Sequence, residues 1–180
     1  VVATGGMGMV KAAYSSGKPA LGVGQGNVQT IVDRDVDLGE AAEKIIIGRS
    51  FDNGLICLGE QCAFIPEEKF DAFVEEFKKH GGYYIEDEAT ADKLRECIFP
   101  GGGDISRNVV GLTAEQVAAL IGLEVPAGTR VLAAKVKAIA QGDVMCREKL
   151  CPVLGLMPYG TFEEGVAMMV ANLEYEGKGH

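Results

Sequence analysis

The chain has 180 residues, 47% of them hydrophobic and 24% charged, with a formal net charge of −9. That length supports one substantial core, and the composition is that of a globular domain rather than a disordered or fibrous one. No stretch approaches the roughly 18 apolar residues needed to cross a bilayer, and no basic stripe offers a nucleic-acid footprint, so neither a membrane nor a nucleic acid is expected as a partner.

A polyanionic ligand would have to be held by local Lys, Arg and backbone amides against the overall negative field. Val1-Val2-Ala3-Thr4-Gly5-Gly6 lacks an initiator Met and the basic and apolar regions of a signal peptide. It reads as the interior of a structured element, so the chain is expected to be a fragment. Five cysteines lie at 57, 62, 97, 146 and 151. The odd count, in a chain too long to need a disulfide scaffold, predicts reduced thiols and a cytoplasmic setting. Cys57/Cys62 and Cys146/Cys151 are each five apart and the chain has two histidines, a set from which no metal site is expected.

In chain order, Ala3–Gly8 is a glycine-rich turn leading into a short helix over 9–16, which Gly17-Lys18-Pro19 ends. Short strands are predicted at Ala20–Val23 and Val28–Val32. Asp37 caps a helix with Leu38, Ala41, Ala42, Ile45 and Ile46 at helical spacing, ending near Arg49, and Phe51-Asp52-Asn53-Gly54 follows as a turn. Gln61–Ile65 reads as a strand. Pro66 then opens a helix with Phe70, Phe73, Val74 and Phe77 on one face, a stripe expected to pack in the core. A short acidic helix over 86–100 precedes the Pro100–Gly103 loop. Asn108–Leu112 reads as a strand. Thr113-Ala-Glu-Gln116 is a capping box for the next helix, and Gly122 suits its left-handed end. Arg130–Val136 and Val153–Met157 complete the predicted strands, and Thr161-Phe-Glu-Glu164 is a second capping box. The alternation predicts an α/β domain whose mainly parallel sheet has helices on both faces.

Three segments can carry chemistry. Asn53-Gly54-Leu55-Ile56-Cys57 displays a thiol between a turn and a strand, against the alternative of a buried structural cysteine. Neither histidine is near it in sequence, so activation would come from backbone dipoles and local positive charge. Thr4-Gly5-Gly6-Met7-Gly8 lets backbone approach a phosphate at a helix N-terminus, against the alternative of a plain tight turn. Arg147-Glu148-Lys149 sets a carboxylate between two cations, against the alternative of a solvated salt-bridge cluster.

Together these segments resemble the aldehyde dehydrogenase superfamily, in particular its CoA-acylating branch. That branch includes the acetaldehyde dehydrogenase half of bifunctional aldehyde-alcohol dehydrogenases and the propionaldehyde and sulfoacetaldehyde enzymes. Residues 3–19 are similar to the family run ATGGPGMVKAAYSSGKP, with Met7 where Pro is usual. Gly22–Asn27 is similar to GVGAGN, Phe51–Cys57 to FDNGxIC, Arg147–Val153 to REKLSPV, and Gly177–His180 to GLGH. The match runs the whole chain in order and is looser from about 85 to 145.

The resemblance implies a mainly parallel α/β catalytic domain over 20–180, preceded at 1–19 by the tail of a nucleotide-binding domain. The rest of that domain, the oxyanion-hole asparagine and an oligomerisation hairpin are then expected outside the chain. The isolated 180 residues are accordingly expected to be inactive. It implies NAD-dependent, reversible oxidation of a small-molecule aldehyde to acyl-CoA through a thioester on Cys57, with CoA as co-substrate and a homo-oligomeric full-length protein. It further implies that Glu148 holds the nicotinamide ribose hydroxyls and that Gly5 and Gly6 lie near the cofactor. Where hydrolytic relatives place a water-activating glutamate, this chain has Val23, which favours CoA over water as acyl acceptor. The alternatives are a hydrolytic aldehyde dehydrogenase with another base, and a non-catalytic scaffold or oligomerisation module.

Overall fold

The computed structural model describes residues 1–177; the run Gly177–His180 continues past them, so Lys178, Gly179 and His180 lie outside the described residues. Seven strands alternate with six α-helices: β1 (Val2–Thr4), α1 (Met7–Tyr14), β2 (Leu21–Val23), β3 (Gln29–Ile31), α2 (Leu38–Ser50), β4 (Cys62–Pro66), α3 (Phe70–Lys79), β5 (Gly82–Ile85), α4 (Glu88–Ile98), α5 (Ala114–Leu120), β6 (Val131–Lys135), β7 (Val153–Tyr159) and α6 (Phe162–Glu176). β1 and β2 form a parallel pair across α1. The other five strands make one parallel sheet in the order β3-β4-β7-β6-β5.

The strand sequences explain why this sheet is covered on both faces. Alternate residues of a strand point to opposite sides. Cys62 and Phe64 of β4, Leu132 and Ala134 of β6 and Val153 of β7 join a core with α4 and α5, which contribute Leu94, Ile98 and Val117. Ala63 and Ile65, Val131 and Ala133, Leu154 and Leu156 join a second core with Ile45 and Ile46 of α2 and Phe73, Val74 and Phe77 of α3. The near-continuous apolar runs of these strands are therefore the mark of a parallel sheet with no wet face. The Phe stripe packs inward as expected, with Phe70 half-buried at its end.

Local rules fix the helix starts. Asp37 and Asp87 accept from the N–H groups of Glu40 and Thr90, and Thr113 and Thr161 form complete capping boxes with Gln116 and Glu164. Gly122 takes φ +70°, as its place after α5 requires. Two expectations fail. Asn108–Leu112 is not a strand: Val109 donates to Ser106 and Leu112 to Val109 in turn bonds, Gly111 takes φ +75°, and its N–H goes to Leu150. A short apolar run does not distinguish a strand from a buried turn. One of the sheet's two edge strands, β5, has no counterpart among the predicted strands. It is four residues long and opens with Gly82, too short for an alternation to register.

Among the described residues no helix is long and apolar enough to cross a membrane. The irregular stretch before β7 is organised by one buried ion pair. Arg95 of α4 donates to Asp143 through Nε at 3.0 Å and Nη2 at 2.9 Å, and Asp143 also accepts from the N–H groups of Lys137 and Met145. Burial pushes the Asp143 carboxyl up, but these hydrogen bonds outweigh it and hold the group below the ordinary aspartate value. A depressed carboxylate stabilises the fold above the unfolded value, about pH 3.9, and that contribution disappears as pH falls through the folded value. Asp143→Ala should cost about 3 kcal/mol at pH 7, since it removes the buried partner of Arg95 and leaves it only the more exposed Glu88 and Asp92 and the Lys135 carbonyl. In urea melts of the full-length protein, the gap to wild type should close below about pH 4; a gap that stays constant to pH 3 would contradict this assignment.

Candidate active site

In this sheet β4 and β7 are neighbours, and the segments entering them carry Cys57 and Glu148. The two loops therefore meet at the amino-terminal edge of the sheet. Open α/β sheets usually bind ligands at the opposite edge, so the location follows from these loops rather than from the fold class.

The Cys57 loop begins with an unusual turn. Asp52 and Asn53 both have positive φ, 48° and 53°, and Gly54 follows at 73°. Asn and Asp tolerate this region better than other side chains. Asn53 Nδ2 donates to the carbonyl of Gly111 at 3.0 Å. Gly54 has no freedom to be anything else: a Cβ there would stand 2.6 Å from the carbonyl carbon of Cys151 and 2.8 Å from Arg49 Nη2. The chain then turns back, with Leu55 N–H on Asp52 and Gly59 N–H on Ile56. Cys57 sits half-exposed between these bonds. Among the described residues its own N–H donates to no protein acceptor. Phe51, Leu55 and Leu58 stand exposed around it, Leu58 at 66%.

The other cysteines are unlike it. Cys62, Cys146 and Cys151 are fully buried. The neighbouring Cys146 thiol and burial together raise Cys62 well above its ordinary value, and burial pushes Cys151 up to about 11. Cys62 and Cys151 therefore stay protonated at neutral pH and are poor nucleophiles, whereas the hydrogen bond with Cys62 lowers Cys146, which burial still keeps from solvent. Burial also raises Cys97, in α4. The Cys62 side chain donates to the Met145 carbonyl at 3.3 Å and faces Cys146.

Glu148 is half-buried, and its segment is not the solvated charge cluster that the flanking cations allowed. Lys149 is fully buried, its Nζ donating to the carbonyls of Met145 at 2.7 Å and Arg147 at 2.8 Å. Burial depresses its pKa. Arg147 turns away from Glu148: its Nε meets Glu176 Oε1 at 2.6 Å, and its guanidinium stacks 4.5 Å from the Phe99 ring. The second oxygen of Glu176 accepts the N–H of Glu148 at 2.6 Å. One carboxylate at the end of α6 thus holds both neighbours in place.

Gln61 joins the two loops. Its Nε2 donates to the Gly59 carbonyl at 3.2 Å, its Oε1 accepts from the Lys149 N–H at 2.9 Å, and its backbone bonds to Val28 and Gly155. Arg49, the last buried residue of α2, lies under both loops, with carbonyls of each around its guanidinium. Neither Arg49, Gln61 nor Glu176 was singled out in the sequence. An arginine at the buried face of a helix, next to the turn that bears the thiol, was the one available signal.

Gly5 and Gly6 lie at the β1–α1 junction. Gly5 has φ 147° and donates its N–H to the carbonyl of Val23 at 3.1 Å, so this turn sits beside Val23. Gly6 caps α1 without a side-chain hydrogen bond, and a Cβ on Gly6 or Gly8 would meet nothing within 4 Å. The turn is linked to the rest of the site through residues 24–28, where Asn27 Nδ2 donates to the Cys146 carbonyl at 2.8 Å.

No family model matches the chain. Individual proteins do. It is 48% identical over its full length to the acetylating succinate-semialdehyde dehydrogenase of Clostridium kluyveri, of which it spans 40%. It is 36% identical over its full length to the bifunctional aldehyde-alcohol dehydrogenase of Escherichia coli K12, of which it spans 20%. Among solved structures, 99% of the chain superposes on 39% of an acetylating aldehyde dehydrogenase from Geobacillus thermoglucosidasius, at TM-score 0.92 and 35% identity. A propionaldehyde dehydrogenase from Rhodopseudomonas palustris, solved with bound CoA and an acylated cysteine, matches at TM-score 0.87 and 30% identity over 98% of this chain and 39% of that one.

The Gly54 geometry gives a direct test. Gly54→Ala should destabilise the full-length protein by about 2–4 kcal/mol, from left-handed strain and overpacking against Cys151. Urea unfolding reads the cost, and a change under about 0.5 kcal/mol, the range of an uninvolved surface site, would contradict the packing described.

Proposed function

Starting from a chain that belongs to the CoA-acylating branch of the aldehyde dehydrogenases, we propose that the complete protein oxidises an aldehyde to an acyl-CoA, with Cys57 carrying the acyl group. One observation carries this reading above the others. Cys57 combines a half-exposed sulfur with a backbone N–H that no carbonyl among the described residues occupies.

The Cys57 thiolate adds to the aldehyde carbonyl, forming a C–S bond and an oxyanion. The unoccupied N–H of Cys57 stabilises that oxyanion; one such donor is worth about 3 kcal/mol in known oxyanion holes. NAD, when bound, supplies the hydride acceptor. The adduct on Cys57 then collapses to a thioester. In the second half the thioester passes to the CoA thiol, the same N–H takes the new oxyanion, and Cys57 leaves as thiolate. The balance is aldehyde, NAD⁺ and CoA to acyl-CoA, NADH and a proton, and it is reversible because one thioester replaces another.

The residues present fit a dinucleotide. An α1 N-terminus with no side-chain cap and open glycines on its approach suits a phosphate, which is the role proposed for Gly5 and Gly6 and for the β1–α1–β2 unit that contains residues 1–19. Glu148, held by the Glu176 contact to its N–H, suits two ribose hydroxyls, because an ionised carboxylate only accepts hydrogen bonds.

The apolar rim of Phe51, Leu55 and Leu58 and the valine at position 23 leave water without a base at the thioester. A thiol of pKa about 8.5 needs little activation, so acyl transfer to CoA outruns hydrolysis. The CoA-bound, acylated-cysteine state of the Rhodopseudomonas palustris enzyme supports the same sequence of events.

In the full-length protein, acyl-CoA should form only with CoA present, and Cys57→Ala should abolish it. Glu148→Gln should raise KM for NAD about tenfold, the scale of one lost charged hydrogen bond, while leaving alkylation of Cys57 unchanged. Free acid made at the same rate without CoA would favour a hydrolytic enzyme. Full turnover by Cys57→Ala would remove the thiol from the mechanism.

A further inference from the structure

Arg49 has no place in the reaction just described, yet it heads the large, fully buried side chains among the described residues. Among the described residues no carboxylate is hydrogen-bonded to it, although Glu60 and Glu148 act on it through their charge. Its partners are backbone carbonyls: Nη1 donates to Gly59 at 3.4 Å, and Nη2 donates to Gly54 at 3.3 Å, to Lys149 and to Cys151. Gly54 and Gly59 bracket Cys57 in the sequence. Lys149 and Cys151 follow directly on Glu148. A guanidinium in such a place is costly, and burial lowers its affinity for the proton. A hydrophobic side chain of similar volume would avoid that cost but would leave these carbonyls without donors.

We infer that Arg49 is a positioning residue that fixes the thiol loop against the cofactor-carboxylate loop, through four carbonyls gathered on one rigid planar group. The inference rests on the roles proposed above for Cys57 and Glu148. Arginine is suited to this and lysine is not. The guanidinium offers five donors in a fixed fork, so the carbonyls it binds are held at set separations. An ammonium has three donors on a flexible stem and cannot span both loops with the same geometry. Lys149 illustrates the difference: its buried ammonium serves Met145 and Arg147, both upstream on its own segment, and ties nothing across. The brace also explains why Gly54 has no room for a Cβ, since the closest approaches are to the Cys151 carbonyl and to Arg49 itself.

Coupling of this kind gives a signature that a simple stabilising role does not. When the brace is loosened the sulfur and the carboxylate both drift, and a displacement near 1 Å in a reacting geometry costs about 100-fold in rate. In the full-length protein, Arg49→Met should lower kcat about 100-fold and Arg49→Lys about tenfold, the lysine restoring part of the function. Both should raise KM for NAD and slow the alkylation of Cys57 by iodoacetamide at neutral pH, measured well below the melting temperature of each variant. Should Arg49→Met fail to fold, Arg49→Lys carries the test alone.

Alkylation rate and KM for NAD within twofold of wild type, with only the melting temperature lowered, would overturn the inference. A Cys57→Ser enzyme measured alongside separates the two levels. If it is dead while the Arg49 variants behave normally, Arg49 is merely structural and the thiol mechanism stands. If it turns over at the wild-type rate, the thiol mechanism falls and this inference falls with it.

Discussion

β4 and β7 lie side by side in the sheet, with the apolar residues of both strands packed into the cores above and below it. That burial is what the rest of the structure depends on. A parallel pair buried on both faces cannot slip in register without turning each apolar side chain toward the wrong layer. Cys62 therefore stands opposite Gly155, and the chains entering the two strands emerge next to each other. The segments bearing Cys57 and Glu148 are far apart in sequence and adjacent in space because of that register.

Bringing two irregular loops together below a dry sheet leaves backbone carbonyls without water. Such groups must find donors or cost free energy. Here the donors are the buried side chains of Arg49, Lys149 and Gln61. They supply rigidity as well as satisfaction, because each carbonyl they hold is one that no longer moves. The half-exposed thiol is thus mounted on a loop whose far side is fixed from within. Among the described residues its own N–H has no acceptor, and in an acyl-transfer site a spare donor beside a nucleophile is worth more than a paired one. The three fully buried thiols have the opposite surroundings, with their sulfurs in the apolar core.

Much of this was legible in the sequence. The α/β class, the capping boxes at Thr113 and Thr161, the left-handed Gly122 and the inward Phe stripe all follow from local rules, and the structure agrees with each. The turn chemistry of Asp52-Asn53-Gly54 was also readable, because few other residues accept positive φ. What was not readable depends on contacts between distant segments. The stretch 108–112 looks like a strand until Gly111 is seen bonded to Leu150. The charges of Arg147 and Lys149 look solvated until Glu176 and the Met145 carbonyl take them. Arg49 carries only one local signal, its place on the buried face of α2, since nothing in a helix sequence announces that two loops will fold over its end. The short β5 was missed for a simpler reason: four residues after a glycine carry too little alternation.

The chemical account reduces to one sulfur that accepts an acyl group from an aldehyde and gives it to another thiol. A labelled aldehyde supplied to the full-length enzyme with NAD, and without CoA, tests it most directly. Mass spectrometry of the peptide containing Cys57 should then show the acyl mass on that residue, lost again on addition of CoA. Reduced nucleotide formed in stoichiometric amount with Cys57 unmodified would contradict the account.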